Sequence, residues 1–539
     1  MKKLLCLFLL IFLHSQLWAQ VKFLNRFEVK GEEYDPIFEI MRTDLGLVSF
    51  RTMQVKSFSS ERILQFFLTD ENLKSEGIVE LPIRNSYEMV GYDTEGSMLY
   101  ILMARGLTAN APKYILGVDL ESKKGFEYPA DNLLDLELVE FLVLDAKAIF
   151  LGTSDSRPVL QILDLRDKSL HTVQGVYGNN TQVLQVRKMA ELEALEVVVS
   201  RKGQYRNRET LILTYDLLGN LVREIKVDQF GTADQEILDG LLLADQNYQQ
   251  VMIGSFGQEG KNSYQGMYIM EINEFGEYDF NLYTLEDFPN FYSYLKEKQQ
   301  EKRKNQILKE LENGKVPSIR NSYLIRDVRE TEDAYYIYFD QLNISTSRGG
   351  NRPRGYSPFN TYRYDRINRM GYSPYYMDPF LFSNIPQNQY YNLIEYQYVS
   401  AHLIKVGKQG QVIWDNSASF GGFSTTYPEP FGEIAVVGDD VYHVYIEDDL
   451  VTASFFRKGE KIFERMFFGL ELMDENSRIR NTDLETLRLV HWYDNYFLIS
   501  GRQSIRYLGE DNREEVKHVF FMSKIVLDGD LYKLEGEGD

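Results

Sequence analysis

The segment Leu211–Val227, LILTYDLLGNLVREIKV, sets two apolar runs on either side of a short Asp/Gly turn, which is the pattern of an antiparallel hairpin. Comparable hairpins recur around Gly77, Gly125, Lys168, Gly219, Gly276, Gly410, Gly459 and Gly529. Taken from those positions, the spacings are 48, 43, 51, 57, 134, 49 and 70 residues. Most lie near a period of about forty to fifty residues, and the widest leaves room for an insertion. A repeat of this length implies small units that bury their apolar surface only by stacking on their neighbours.

The clearest units read as four short strands. One runs Gln182–Arg187, Val197–Arg201, Thr210–Tyr215 and Leu221–Val227; the next runs Ile237–Ala244, Val251–Ser255, Met267–Ile272 and Tyr278–Tyr283. Segments such as VVVS, VMIG, LYILMA and YYIYF are apolar without alternation, as expected of sheets covered on both faces. Four strands per unit at this period resemble a β-propeller. The resemblance implies an all-β fold of seven or eight four-stranded blades, with eight favoured by the hairpin count. Phe23–Val29 is placed to complete the last blade from the opposite terminus, which would remove an exposed edge. Neither a W-D dipeptide nor the double-glycine kelch pattern recurs from unit to unit, and the sialidase box S-x-D-x-G-x-x-W is absent. Gly407–Trp414, GKQGQVIW, is similar to the blade ending of quinoprotein-type propellers, in a single copy. The resemblance therefore carries a fold and no functional residues.

Residues 1–19 open with Lys2 and Lys3, continue through an apolar run from Leu4 to Leu13 and reach Ala19, the form of a secretory signal. The run is too short to span a bilayer, which takes about 20 residues. An exported protein with no direct membrane span is predicted, located in the periplasm or associated with the outer membrane or the cell exterior. Residues 20–539 then form a single propeller domain carrying two insertions, at 286–321 and at 345–396. The one cysteine, Cys6, lies inside the signal, so the remainder has no disulfide, thiol nucleophile or thiolate metal site.

The chain holds 59 Lys and Arg against 80 Asp and Glu, a net charge of −21. Without the signal's two lysines it is 57 minus 80, or −23, which argues against general nucleic-acid or anionic-lipid binding. Strand order sharpens the functional reading. If the strands of a unit meander, the connection from second to third strand and the link to the next unit lie on one face. The long polar loops beginning at Ala104, Ser200, Ser255 and Gly501 are all of this class, whereas turns such as TEGS, DAK and GDD on the other face are short. Extra loop length marks function more often than closure demands.

Both insertions obey the same parity. The first is predicted to be helical, with Pro289 near the helix start and Gly314 as its stop. Lys296 to Asn305 has no apolar residue, so this part should project. The second insertion reads SRGGNRPRGYSPFNTYRYDRINRMGYSPYYMDPF, with six Arg against Asp365 and Asp378, a local +4. Arg352, Arg354, Tyr356, Arg363, Arg366, Tyr372, Tyr375 and Tyr376 are the candidate binding residues, because Tyr and Arg supply rigid contact area and bidentate donors. The same composition also suits a loop that stacks its tyrosines on its own scaffold.

A second constellation stands where the first strand of several units begins: Glu88, Glu137, Glu236, Glu433 and Glu485. Converging carboxylates can bind a cation or serve as an acid/base pair, as in propeller glycosidases, but more often such residues only solvate a strand entrance. G-x-S-x-G, H-E-x-x-H, Walker and G-x-G-x-x-G motifs are missing, and His171, His402, His443, His491 and His518 show no i, i+4 pair. His443 and His491 read as core residues. No catalytic residue, metal site or cofactor is assigned. The leading expectation is a non-catalytic binding or docking module of the cell envelope that recognises a protein or polysaccharide. Two alternatives stay open: a carbohydrate-active enzyme using the carboxylates, and a structural subunit of a secretion or uptake complex.

Overall fold

The computed structural model describes residues 21–527 and 529, apart from 347–393 and short segments at 56–59, 107, 131–132, 134, 156, 179–180, 203–207, 228–229, 233–234, 244–248, 259–262, 320, 426–430 and 510. The predicted signal and the arginine- and tyrosine-rich stretch lie outside the described residues. Eight sheets, each with a four-stranded antiparallel path, form the blades of an all-β propeller. The chain gathers into two compact units. One comprises residues 38–71 and 75–430, the other 1–37, 72–74 and 431–539.

The larger unit holds six sheets in chain order, spanning 39–83, 88–129, 137–172, 181–227, 235–284 and 322–425. In the fourth sheet, Val197, Val198 and Val199 are each at most 1% exposed. Val197 and Val199 pack with the third sheet around Leu160 and Ile162, whereas Val198 packs with the fifth around Met252 and Tyr268. One strand thus feeds two cores, which is why its sequence lacks alternation. Its four strands, Thr181–Met189, Ala194–Lys202, Arg208–Asp216 and Leu221–Val227, match the sequence reading to within a few residues.

The hairpins also have a common local cause. Asp216 Oδ1 accepts the Leu218 and Asn220 N–H groups, and Asn273 Oδ1 accepts those of Phe275 and Glu277. Each turn then needs a left-handed residue, supplied by Gly219 and Gly276, both at φ +83°. A side chain there would add strain.

Inner strands of neighbouring sheets share no ladder, and polar side chains tie them instead. Tyr92 Oη donates to Glu39 across the first two sheets at 2.7 Å. Asp93 accepts the Val143 N–H at 2.5 Å and the Lys188 ammonium at 2.7 Å, joining the second, third and fourth sheets. Gln185 accepts from Leu242 N–H and donates to its carbonyl, at 2.7 and 3.2 Å. Asp239 accepts the Ile325 N–H at 3.1 Å. Register slips by one residue at Met89/Gly91, Leu138/Glu140, Val183/Gln185, Ile237/Asp239 and Ile325/Asp327, the same place in five successive inner strands. Bulges there add twist and re-aim the side chains that follow.

The smaller unit holds the seventh sheet, 433–469, and the eighth, whose path is Val21–Gly31, Glu514–Leu527, Tyr496–Leu508 and Arg478–Tyr493. The amino-terminal strand therefore completes the last blade, as the sequence predicts. It pairs antiparallel with Glu514–Leu527, from Val21 opposite Leu527 to Gly31 opposite His518. Most of the hairpin expected at Gly529 lies outside the described residues; Glu514–Leu527, which would form its first arm, is already paired on one edge with Val21–Gly31 and on the other with Tyr496–Leu508, and the Gly529 carbonyl accepts from Arg457 at 2.8 Å. Among the described residues, no helix is long and apolar enough to cross a membrane.

Replacing Asp93 by Ala removes the acceptor that Val143 and Lys188 share, at a site with no solvent exposure. A loss of about 3 kcal/mol is expected, read as a lower denaturant midpoint. An unshifted midpoint would show that these inner ties are dispensable.

Candidate functional site

Both insertions leave the same end of the sixth sheet. Its first strand, Ser322–Glu330, begins where the helical insertion ends, with Ser322 opposite Leu342. The next two strands, Ala334–Thr346 and Ile394–Gly407, run past this point and stay paired up to Thr346 opposite Ile394. They form a two-stranded ribbon, buttressed by Ser424 and Thr425 against Gln397 and Tyr396. The arginine- and tyrosine-rich insertion springs from its tip.

The helical insertion differs from its prediction in where the helix starts. The helix covers Glu297–Glu312, eight residues beyond Pro289, and Gly314 at φ +67° follows its end as expected. Residues 288–296 form a strap rather than a first turn, because their aromatic rings are needed elsewhere. Phe291 lies over the His402 imidazole with ring centroids 4.1 Å apart, and Tyr294 meets the same ring edge-on at 5.9 Å. Tyr323 stacks on Phe339 at 4.4 Å and completes the aromatic box around His402. The spacing of aromatics in FPNFYSYL is the signal that could have revealed a packed segment.

Polar contacts finish the seam. The Asn290 N–H donates to both Asp415 carboxylate oxygens, at 3.2 and 3.0 Å, and its amide donates to the Asp415 carbonyl at 3.2 Å. Ser293 Oγ donates to Asn416 Oδ1 at 2.6 Å and accepts the Ser417 N–H at 3.0 Å. Tyr294 Oη and Ser400 Oγ both donate to Gln341 Oε1, at 3.2 and 2.9 Å. From the helix side, Gln300 donates to the Leu295 carbonyl at 2.7 Å. The helix is consequently anchored to the sheet through its approach segment.

Burial decides what this cluster does chemically. Ser400 Oγ and His402 Nε2 stand 2.9 Å apart, within the range of a nucleophile and its base. Yet Ser400 and His402 are 0% and 1% exposed, Phe291 covers the ring, and no substrate atom could reach the hydroxyl. Burial also pushes the His402 pKa down to about 3, so the ring stays neutral and serves as packing. Burial lifts the Asp415 carboxyl to about 6 despite the Asn290 donors and the Lys304 charge. Tyr323, held well above its ordinary range by burial and then by the Asp415 charge, stays a phenol.

The carboxylates singled out in the sequence occupy different settings. Glu88 opens the strand Glu88–Glu95, is exposed, and pairs with Arg62 at 3.2 Å. Glu137 opens Glu137–Leu144, is exposed, and accepts from Thr153 Oγ1 at 3.2 Å. Glu236 lies partly exposed in Gln235–Leu242. In the smaller unit, Glu433 starts Glu433–Val437 and is buried, whereas Glu485 is exposed within Arg478–Tyr493. No group of three or more His, Cys, Asp or Glu among the described residues could hold a metal ion. His443 is buried at 1% exposure and its pKa is pushed down to about 3; His491 Nε2 donates to the Asp494 carbonyl at 2.9 Å. Arg352, Arg354, Tyr356, Arg363, Arg366, Tyr372, Tyr375 and Tyr376 lie outside the described residues.

The raised Asp415 pKa means that the folded chain binds this proton more tightly than the unfolded chain does. Its stabilising contribution is complete below the ordinary carboxyl range and is lost as pH rises through about 6. The amides of residues 288–296 should therefore exchange more slowly at pH 4.5 than at pH 7.5, by up to about 2 kcal/mol in protection. Asp415→Asn should flatten that dependence; an unchanged pH profile in the variant would remove Asp415 as its source.

No known family and no curated protein matches this chain. Solved structures that it resembles include the β-propeller domain of the Trilobed protease from Pyrococcus furiosus, at TM-score 0.33 and 9% identity over 80% of this chain and 98% of that one. Another is the acylaminoacyl peptidase from Pyrococcus horikoshii, at TM-score 0.32 and 10% identity over 80% of this chain and 52% of that one. A third is the polysaccharide lyase Uly1, at TM-score 0.37 and 9% identity over 93% of this chain and all of that one. This chain spans about half the length of the acylaminoacyl peptidase. Likeness at this level concerns the repeated-sheet fold and transfers no activity.

Proposed function

We propose that this protein is an exported, non-catalytic binding propeller of the bacterial cell envelope, located in the periplasm or at the outer membrane or cell surface. Its partner is an envelope protein or polysaccharide, taken up at the end of the sixth sheet from which both insertions emerge. The observation that carries this reading is the pairing of those two exits on one sheet end, with Ser322 opposite Leu342 and the ribbon continuing to Thr346 opposite Ile394. A long extra ribbon and an anchored helix at one end are the usual means of presenting contact residues on a rigid scaffold.

A catalytic reading finds less support. The Ser400–His402 pair is sealed beneath Phe291, and Glu88 is engaged by Arg62. By composition, the segment Ser347–Tyr391 supplies the arginines and tyrosines that suit recognition.

Deleting Ser347–Tyr391 should leave the thermal unfolding midpoint within a few degrees of the parent while abolishing recovery of the partner from native envelope extract. Equal recovery by the deleted and full-length chains would sink the proposal.

A further inference from the structure

The helix Glu297–Glu312 with its flanking residues carries charge of the opposite sign to the chain as a whole. From Lys296 to Lys315 there are seven Lys and Arg against four Glu, 7 − 4 = +3, on a chain of net −21. Placement of these charges follows from the side the helix uses for packing. Ile307 packs against the core between the fifth and sixth sheets, and Gln300 bonds the strap. At about 3.6 residues per turn, the opposite side presents Lys298, Lys302, Asn305 and Lys309 in one row. All four are exposed. The three lysines are separated by four and seven residues, one and two helical turns, and so span about 16 Å at about 1.5 Å per residue.

These cations are not spent within the protein. Several lysines elsewhere are engaged by acids: Lys147 with Asp145, Lys188 with Asp93, Lys461 with Glu464, Lys517 with Glu28. Among the described residues, Lys298, Lys302 and Lys309 form no ion pair, although Glu301 and Glu312 stand three residues from Lys298 and Lys309. Lys298 and Lys302, at i and i+4, repel each other, which costs the isolated helix a few tenths of a kcal/mol by itself.

From this row we infer a contact surface for an anionic polysaccharide, one bearing carboxylate or sulfate groups at regular intervals. The inference rests on the binding reading above and names the class of partner. Cations spaced by whole helical turns along a straight axis fit a linear polymer with repeating charge. A protein partner is disfavoured because the row contains no aromatic or apolar anchor of the kind that protein interfaces centre on. Nucleic acid is disfavoured because the row has no ring on which a base would stack.

The test uses the full-length chain with alginate and dextran sulfate as anionic probes, and with neutral dextran and single-stranded poly(U) RNA as comparisons. Wild type should bind at least one anionic polysaccharide with an affinity that falls as salt rises, and should ignore neutral dextran. The variant with Lys298→Glu, Lys302→Glu and Lys309→Glu should bind at least ~10-fold more weakly, with an unchanged unfolding midpoint because all three positions are exposed. Arginine at the same positions should restore binding. Equal binding by the Glu variant, absence of binding to both anionic polysaccharides at low salt, or equally tight binding of poly(U) would each overturn the inference. Recovery of an envelope partner by wild type and Glu variant alike would leave the broader reading standing and remove only this one; loss of recovery by wild type would remove the broader reading itself.

Discussion

Everything in the larger unit depends on closing the free edges of strands that meet where no further ladder can form. The first strand of each sheet has one neighbour, and its other edge faces the inner strand of the adjacent sheet at an angle that a ladder cannot bridge. Buried N–H and C=O groups left on that edge would cost a few kcal/mol each. Short polar side chains supply the missing partners. Gln185 takes the N–H and the C=O of Leu242 together and so imitates a strand pair, while Asp93 and Asp239 take one N–H each. The bulge preceding each of these positions turns the side chain toward its neighbour. Apolar burial holds the sheets face to face; these ties hold them in register.

The sixth sheet solves a different problem. It must carry two long excursions at one end without loosening, and each has its own support. The ribbon Ala334–Thr346 with Ile394–Gly407 is longer than the strands beside it and gains a short buttress from Ser424–Thr425. The helix has no buried residue of its own, so propensity and surface pairs could not fix its direction. Its approach segment does so instead: Phe288 and Phe291 are buried at 3% and 2% exposure, and Asn290 and Ser293 bond the outer strand Val412–Ser419. The polar atoms of that seam are nearly all satisfied, which makes it a rigid joint rather than a hinge. Asp415 is its one titrating member near neutral pH, and it is so because burial opposes its charge.

Local chemistry made the repeats legible. Asp216 and Asn273 announce the same turn as Gly219 and Gly276, because a side-chain oxygen three residues before the glycine accepts the turn N–H groups. Uninterrupted apolar strands such as Val197–Val199 announce burial on both faces, and that too needs no tertiary knowledge. Failures arose where distant residues intervene. Gly529 has the local form of a turn, but the strand beside it is claimed by Val21–Gly31 from the other end of the sequence. Pro289 has the local form of a helix start, but Phe291 and Tyr294 are drawn to His402, more than 100 residues away. Nor could pattern alone pair Lys188 with Asp93 or place Ser293 on Ser417, since neither contact leaves a mark on either segment. The carboxylate series from Glu88 to Glu485 was legible as a set of strand starts; what each carboxylate faces was not.

The charge distribution carries the remaining step. A body of net −21 repels polyanions wherever they approach, and at physiological ionic strength this repulsion fades over about 8 Å. A row of unpaired lysines overcomes it only for a ligand that reaches the helix closely and meets several cations at once. Weak polyanions, or those whose charges are irregularly spaced, gain too little along about 16 Å of helix to offset the surrounding field. The acidic surface thus acts as a filter and the lysine row as the point of admission, an arrangement that discriminates by subtraction rather than by strength of contact. Neutralising acidic residues near the helix would therefore broaden what binds before it strengthened the binding of any one polymer.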